Sequence, residues 1–356
     1  MSIKMKLLLA FMFLIVMMGL AGGGGLFYIH QISSEVKNLT DTAEPLINIS
    51  GNLVDNVQSI HADILQLLRT TDIEAIPEQQ TVVEGRRSEL NQFLDRLNRL
   101  GSKGGIQLDT QQLTKEKETF FSLIPEISQA HESKLERHSS LLELFHQIET
   151  QQKKLDQALS GLLNQAKGAM SEKEDRGKTL IQSGDTSLED LGAILAELFE
   201  QDYYVITTVE MLRSYLMQMG KICNMYIAEQ DIEKLPGIQK KCEGLAKKFK
   251  SRLKRLKSRL RSRENKALYK TLTKEFDALK NDILPDGKLF HSHREILNLT
   301  AQIQMIHASF DATINNFQSE LAVISDEACK INEQAHLNTS EVVGKAQINL
   351  AVLILV

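Results

Sequence analysis

The stretch Asp72–Gly85, DIEAIPEQQTVVEG, recurs at Asp231–Gly244 as DIEKLPGIQKKCEG. Seven of the fourteen positions are identical at an offset of 159 residues: Asp72/Asp231, Ile73/Ile232, Glu74/Glu233, Pro77/Pro236, Gln80/Gln239, Glu84/Glu243 and Gly85/Gly244. The same offset pairs LTKE at 113–116 with LTKE at 272–275. One residue later in register, LIPE at 123–126 meets ILPD at 283–286, and His131 meets His291. Matches at one spacing over such a length indicate an internal duplication, with repeats at 30–185 and 186–345.

Around these matches the pattern is helical. Leu53, Val57, Ile60, Ile64 and Leu67 recur every three or four positions. Leu141, Phe145 and Ile148, then Leu155, Leu159 and Leu162, keep the rhythm, and Phe310 to Ala335 hold it for almost four heptads. Such spacing draws one apolar seam along a helix, which must be covered by other helices. Nothing alternates with period two. Trp is absent and aromatics are 5% of the chain, a composition that suits helices better than a sheet core.

The fold expected is therefore all-α: an elongated antiparallel helical bundle of two duplicated four-helix units. Breakers divide it into eight segments, roughly 27–71, 78–100, 107–124, 126–180, 187–230, 237–262, 264–283 and 287–345. Turns are expected at DIExxP, GSKGG (101–105), SGDTS (183–187) and PDG (285–287). Whether the sixth and seventh segments are one helix stays open. DIExxP then reads as a hairpin, with Asp72, Glu74 and Pro77 at one tip and Asp231, Glu233 and Pro236 at the other. Proline suits the start of the returning helix, where its missing N–H costs nothing.

Both ends point to a membrane. After Lys4 and Lys6, residues 7–29 are uncharged and mostly apolar, the length that a helix needs to cross a bilayer. The lysines place residues 1–6 in the cytoplasm. A cleaved signal peptide is the competing reading, with Gly19-Leu20-Ala21 as its cleavage site. Residues 346–356, AQINLAVLILV, read as the start of a second membrane helix or as a short buried helix end. With two anchors, residues 30–345 lie in the periplasm of a bacterial inner-membrane protein.

No catalytic constellation, P-loop, dinucleotide fingerprint, HExxH or CxxC is present, so no catalytic residue, metal ligand or cofactor is assigned. His291, His293 and Glu295 have too few companions for a metal site and read as surface residues near a helix start. Residues 247–263, KKFKSRLKRLKSRLRSR, hold ten Lys or Arg and no acid in a chain of net charge −4. In a periplasmic segment this excludes nucleic acid. The run is either a solvated face or a surface for an acidic partner, an anionic ligand or lipid, with Lys250, Arg252, Lys254 and Arg255 as candidates. Arg69 and Arg213 are candidates for a carboxylate ligand between helices, or else members of interhelical ion pairs. Cys223 and Cys242 flank the second DIExxP at similar distances and are either a disulfide or two buried thiols.

This layout, with ISSEVKNLTDTAEPLINIS and Pro45 following the membrane helix, resembles the sensor region of Tor-type sensor histidine kinases. It is also similar to the helical bimodular sensor domains of some chemoreceptors. The resemblance implies stacked four-helix modules, a homodimer, and a small-molecule ligand sensed directly or through a periplasmic binding protein. It further implies signalling by small helix shifts into an output domain beyond residue 356, of kinase or chemoreceptor type. A membrane-anchored coiled-coil spacer is the alternative from a different class.

Overall fold

The computed structural model describes residues 2–104, 110–183, 187–284 and 288–355, and contains no strand among them. In chain order the helices are α1 (Ile3–Asn38), α2 (Glu44–Arg69), α3 (Ile76–Gly104), α4 (Thr110–Ser183), α5 (Leu188–Glu197), α6 (Tyr204–Ala228), α7 (Leu235–Lys257), α8 (Arg263–Ile283) and α9 (Leu289–Leu355). Two π-helical turns interrupt them: Leu39–Ala43 before α2, and Leu198–Tyr203 before α6.

The duplication is visible in local structure. Leu39 plus 159 is Leu198, so the two π turns stand at equivalent places. The hairpins α2–α3 and α6–α7 also correspond, and their tips are built alike. Asp72 Oδ1 accepts a hydrogen bond from the Glu74 N–H, and Asp231 Oδ1 accepts one from the Glu233 N–H, each at 3.0 Å. An aspartate bonded to the backbone two residues on stabilises a tight turn. Pro77 and Pro236 are each the second residue of the returning helix, among the backbone N–H groups that have no intrahelical partner.

Several segment boundaries differ from those read in the sequence. LIPE was expected to break a helix, yet α4 runs unbroken through Pro125. Proline removes one helical hydrogen bond. Burial of Phe120, Phe121 and Ile124 before it and Ile127 and Ala130 after it keeps both sides in place. The seventh segment does end near ILPD, with α8 closing at Ile283. The sixth and seventh segments are separate helices, because the chain turns after Lys257 and the Ser262 Oγ caps α8 by accepting from the Asn265 N–H. Segments 27–71 and 187–230 are each divided by a π turn. The GSKGG break extends α3 as far as Gly104; Gly105, the centre of SGDTS and the PDG turn lie outside the described residues.

The chain packs as two compact units. Unit 1 comprises residues 1–129 and 304–356, and unit 2 comprises residues 130–303. Each draws on both sequence repeats, since α4 and α9 contribute residues to both. The division by packing therefore differs from the division at residue 185, because a helix longer than one bundle offers its seam to two. In unit 1, Leu53, Ile60 and Leu67 of α2 are buried, as are Leu90 and Leu97 of α3, Phe120 of α4, and Phe310 and Phe317 of α9. The Phe120 and Phe310 rings stack with centroids 4.3 Å apart. In unit 2, Leu155 and Leu159 of α4 are buried, as are Val209 and Leu212 of α6, Phe249 of α7 and Phe276 of α8. The Phe249 and Phe276 rings stack at 4.1 Å. Each fully buried Leu or Phe contributes about 1.5–3 kcal/mol of transfer free energy.

α1 is long and apolar enough to cross a membrane, and its apolar side chains from Leu7 to Ile29 are largely exposed on the chain's own surface. Within unit 1 the Asn349 Nδ2 donates to the Tyr28 hydroxyl at 2.7 Å, so the last part of α9 lies beside the end of this apolar stretch.

Candidate functional site

The basic run folds into α7 and the turn leading to α8. Leu253, Leu256 and Leu260 are buried and anchor this end of unit 2, which turns the intervening cations outward. Beside the turn a cleft of about 510 Å³ is lined by Lys257, Leu260, Arg263, Lys266, Tyr269 and Lys270. Its chemistry is an apolar floor with a cationic rim, which suits an anionic group carrying an apolar part. The residues singled out in the sequence stand elsewhere on α7. Lys250 is 3.9 Å from Asp277 and lines a smaller cleft with Lys247 and Lys280. Arg252 is half-buried, and Lys254 and Arg255 are exposed. Other cations of the run have partners: Arg259 lies over the Tyr204 ring at 5.5 Å, and Arg261 is 3.6 Å from Glu197.

The two arginines belong to different units. Arg69 is exposed in the last turn of α2, in unit 1. Arg213 on α6 donates through Nε and an Nη to both carboxylate oxygens of Asp156 on α4, at 2.8 and 3.2 Å. That bidentate pairing occupies the fork and, above other influences, raises the guanidinium pKa.

Cys223 on α6 and Cys242 on α7 are free, buried thiols close enough to interact with each other. That contact, then burial, pushes the Cys223 thiol well above its ordinary range. Their counterparts by duplication, Ile64 and Val83, are buried in unit 1.

His293 is not the surface residue read from the sequence; it is 4% exposed. Its Nε2 lies 2.9 Å from the Glu229 carbonyl at the end of α6, and its ring meets Tyr226 edge-on. Tyr226 in turn donates its buried hydroxyl to the Phe290 carbonyl at 2.9 Å. The start of α9 is thereby fastened to the end of α6. His291 pairs with Glu295 at 3.0 Å, and Arg137 of α4 approaches the other oxygen of Glu295 at 3.1 Å. Arg137 and Glu295 edge a polar cleft of about 490 Å³.

One cluster had no signal in the sequence. His61 of α2 and His307 and Asp311 of α9 converge within unit 1, although 246 residues separate the two histidines. Spacing along the chain reveals only the His307–Asp311 half, a pair four residues apart on one helix face.

Residues 1–175 match the family described as a four-helix-bundle sensory module for signal transduction. No curated protein matches the chain in sequence. Among solved structures, the chain is similar to one described as the TorS sensor domain–TorT complex in the presence of TMAO. The TM-score is 0.65 at 12% identity, covering 80% of this chain and 99% of that one. At that identity the likeness is one of fold. Residues 1–175 thus match a four-helix-bundle sensory module for signal transduction, and the chain shares its helical fold with the TorS sensor domain.

Proposed function

We propose that the chain is the periplasmic sensor of a homodimeric bacterial inner-membrane receptor with a histidine-kinase output. The observation that carries this reading is the sensory-module match over residues 1–175, which takes in the membrane-length helix α1 and the α2–α3 hairpin. Signal enters as a small molecule, bound directly or presented by a periplasmic binding protein. The TorS sensor domain, similar in fold, was crystallised with TorT, and the cationic α7–α8 end offers such a partner an electropositive surface. Output follows from a shift of α9 against α1, which the Asn349–Tyr28 contact places side by side. A ligand drives that shift only by its differential affinity for the two helix arrangements.

The test joins residues 1–356 to the output of a characterised histidine kinase and follows reporter expression as fractionated periplasm is added to cells with permeabilised outer membranes. Stimulus-dependent output that is lost when Lys257, Arg263, Lys266 and Lys270 are all replaced by Gln supports the reading. A chimera that is active yet blind to every fraction rejects it.

A further inference from the structure

We propose that His61, His307 and Asp311 form a binding site for a divalent transition-metal ion of the Zn(II) class, joining α2 to α9 within unit 1. Each residue offers one ligand atom, and the three atoms lie within 4.8 Å of one another. His61 Nε2 is 3.1 Å from Asp311 Oδ1, and His307 Nδ1 is 3.2 Å from Asp311 Oδ2. Ligand atoms about 2.0–2.2 Å from a tetrahedral ion stand roughly 3.3–3.5 Å apart, so each histidine already stands near coordination length from one of the two Asp311 oxygens.

The local hydrogen bonding leaves donor atoms available. The His61 Nε2 is close to Asp311 yet lacks hydrogen-bond geometry to it, and both this nitrogen and the His307 Nε2 are buried atoms without a hydrogen-bond partner. Buried ring nitrogens without partners are costly, and coordination removes that cost for any that binds the ion. The Phe310 ring, 5.9 Å from His61 and stacked on Phe120, walls one side with apolar surface. The three ligand side chains remain 28–42% exposed, which gives the ion an entry path and a fourth position for water. Two imidazoles and one carboxylate favour Zn(II), Co(II), Ni(II) or Cu(II) over Mg(II) and Ca(II), which take oxygen ligands. An ion held here fixes α2, which follows the membrane-length helix, to α9, whose far end meets Tyr28.

The site stands on side-chain geometry and does not depend on the sensory reading, so binding is measured directly. The full chain in detergent micelles is dialysed against Zn(II), with Mg(II) as the contrasting probe, and helicity is checked by circular dichroism. Expected is one equivalent of Zn(II) per chain, no comparable uptake of Mg(II), and affinity weakened by more than about tenfold in H61Q and in D311N. H146Q, at an exposed histidine of unit 2, is expected to bind as the wild type. Independently of any variant, Co(II) is expected to give the strong visible absorption of a four- or five-coordinate ion. No saturable Zn(II) uptake, undiminished binding in H61Q and D311N, or a weak six-coordinate Co(II) spectrum would overturn the proposal.

Discussion

Lys173 and Asp202 offer a sharp test of how unit 2 is held at its π turn. Asp202 belongs to the turn Leu198–Tyr203 and is 5% exposed; Lys173 Nζ of α4 lies 2.7 Å from its carboxylate and 3.3 Å from that of Glu197. Replacing Lys173 with Met keeps the aliphatic stem but leaves the Asp202 carboxylate in a dry site without its cation. Removing one partner of a buried pair costs about 3–5 kcal/mol, a loss of at least a hundredfold in the folded-to-unfolded ratio. Asp202→Asn is much milder, about 1 kcal/mol, because the amide oxygen still accepts from Lys173 and Glu197 still balances its charge. The pair K173M/D202L replaces both charges by apolar groups and is expected to return close to wild-type stability. The assay is guanidinium denaturation of the chain in detergent micelles. The chain has no Trp, and five of its six tyrosines (all but Tyr28) lie in residues 130–303, so tyrosine fluorescence reports on unit 2. Equal losses for K173M and D202N, or no recovery in the double variant, would refute the reasoning.

Three further outcomes are expected. Tyr226→Phe removes the hydrogen bond to the Phe290 carbonyl while keeping the ring, and should cost about 1 kcal/mol, read by the same denaturation. Under native conditions iodoacetamide should label exposed Cys329 and spare Cys223 and Cys242, because both are buried and the raised pKa of the Cys223 thiol further opposes its alkylation; mass spectrometry of peptides before and after unfolding checks this. Asp231 has its pKa lowered first by the Glu233 N–H and then by Lys234. A depressed folded-state pKa means that the unfolded chain binds more protons, so the tip's stabilisation is present above the ordinary Asp pKa of about 3.9 and is lost as pH falls through the lower folded value. Proton exchange at the Glu233 amide should therefore speed up on acidification in the wild type relative to D231N, after correction for intrinsic rates.

The helical seams and the DIExxP tips were legible because both are local: periodicity places Leu53, Ile60 and Leu67 on one face, and an aspartate two residues before an N–H makes its own turn. The offset of 159 residues sets Cys223 and Cys242 against Ile64 and Val83, and all four are buried. What escaped was decided by tertiary packing. Pro125 breaks helices by local chemistry, and only the burial around it explains why α4 continues. The π turns carry no residue signature at Leu39 or Leu198, and their equivalence becomes visible only when backbone geometry joins the repeat offset. His293 looked exposed because its partner, the Glu229 carbonyl, is a backbone atom 64 residues away. His61 was invisible as a neighbour of Asp311 for the same reason, since long-range convergence leaves no spacing to read.

The account depends most on residues 30–345 lying outside the cytoplasm. Fusing alkaline phosphatase, which is active only after export, and β-galactosidase, which is active only in the cytoplasm, after Gln230 at the α6–α7 tip tests this directly. The account predicts an active phosphatase fusion and a silent galactosidase fusion; the reverse pattern would contradict it.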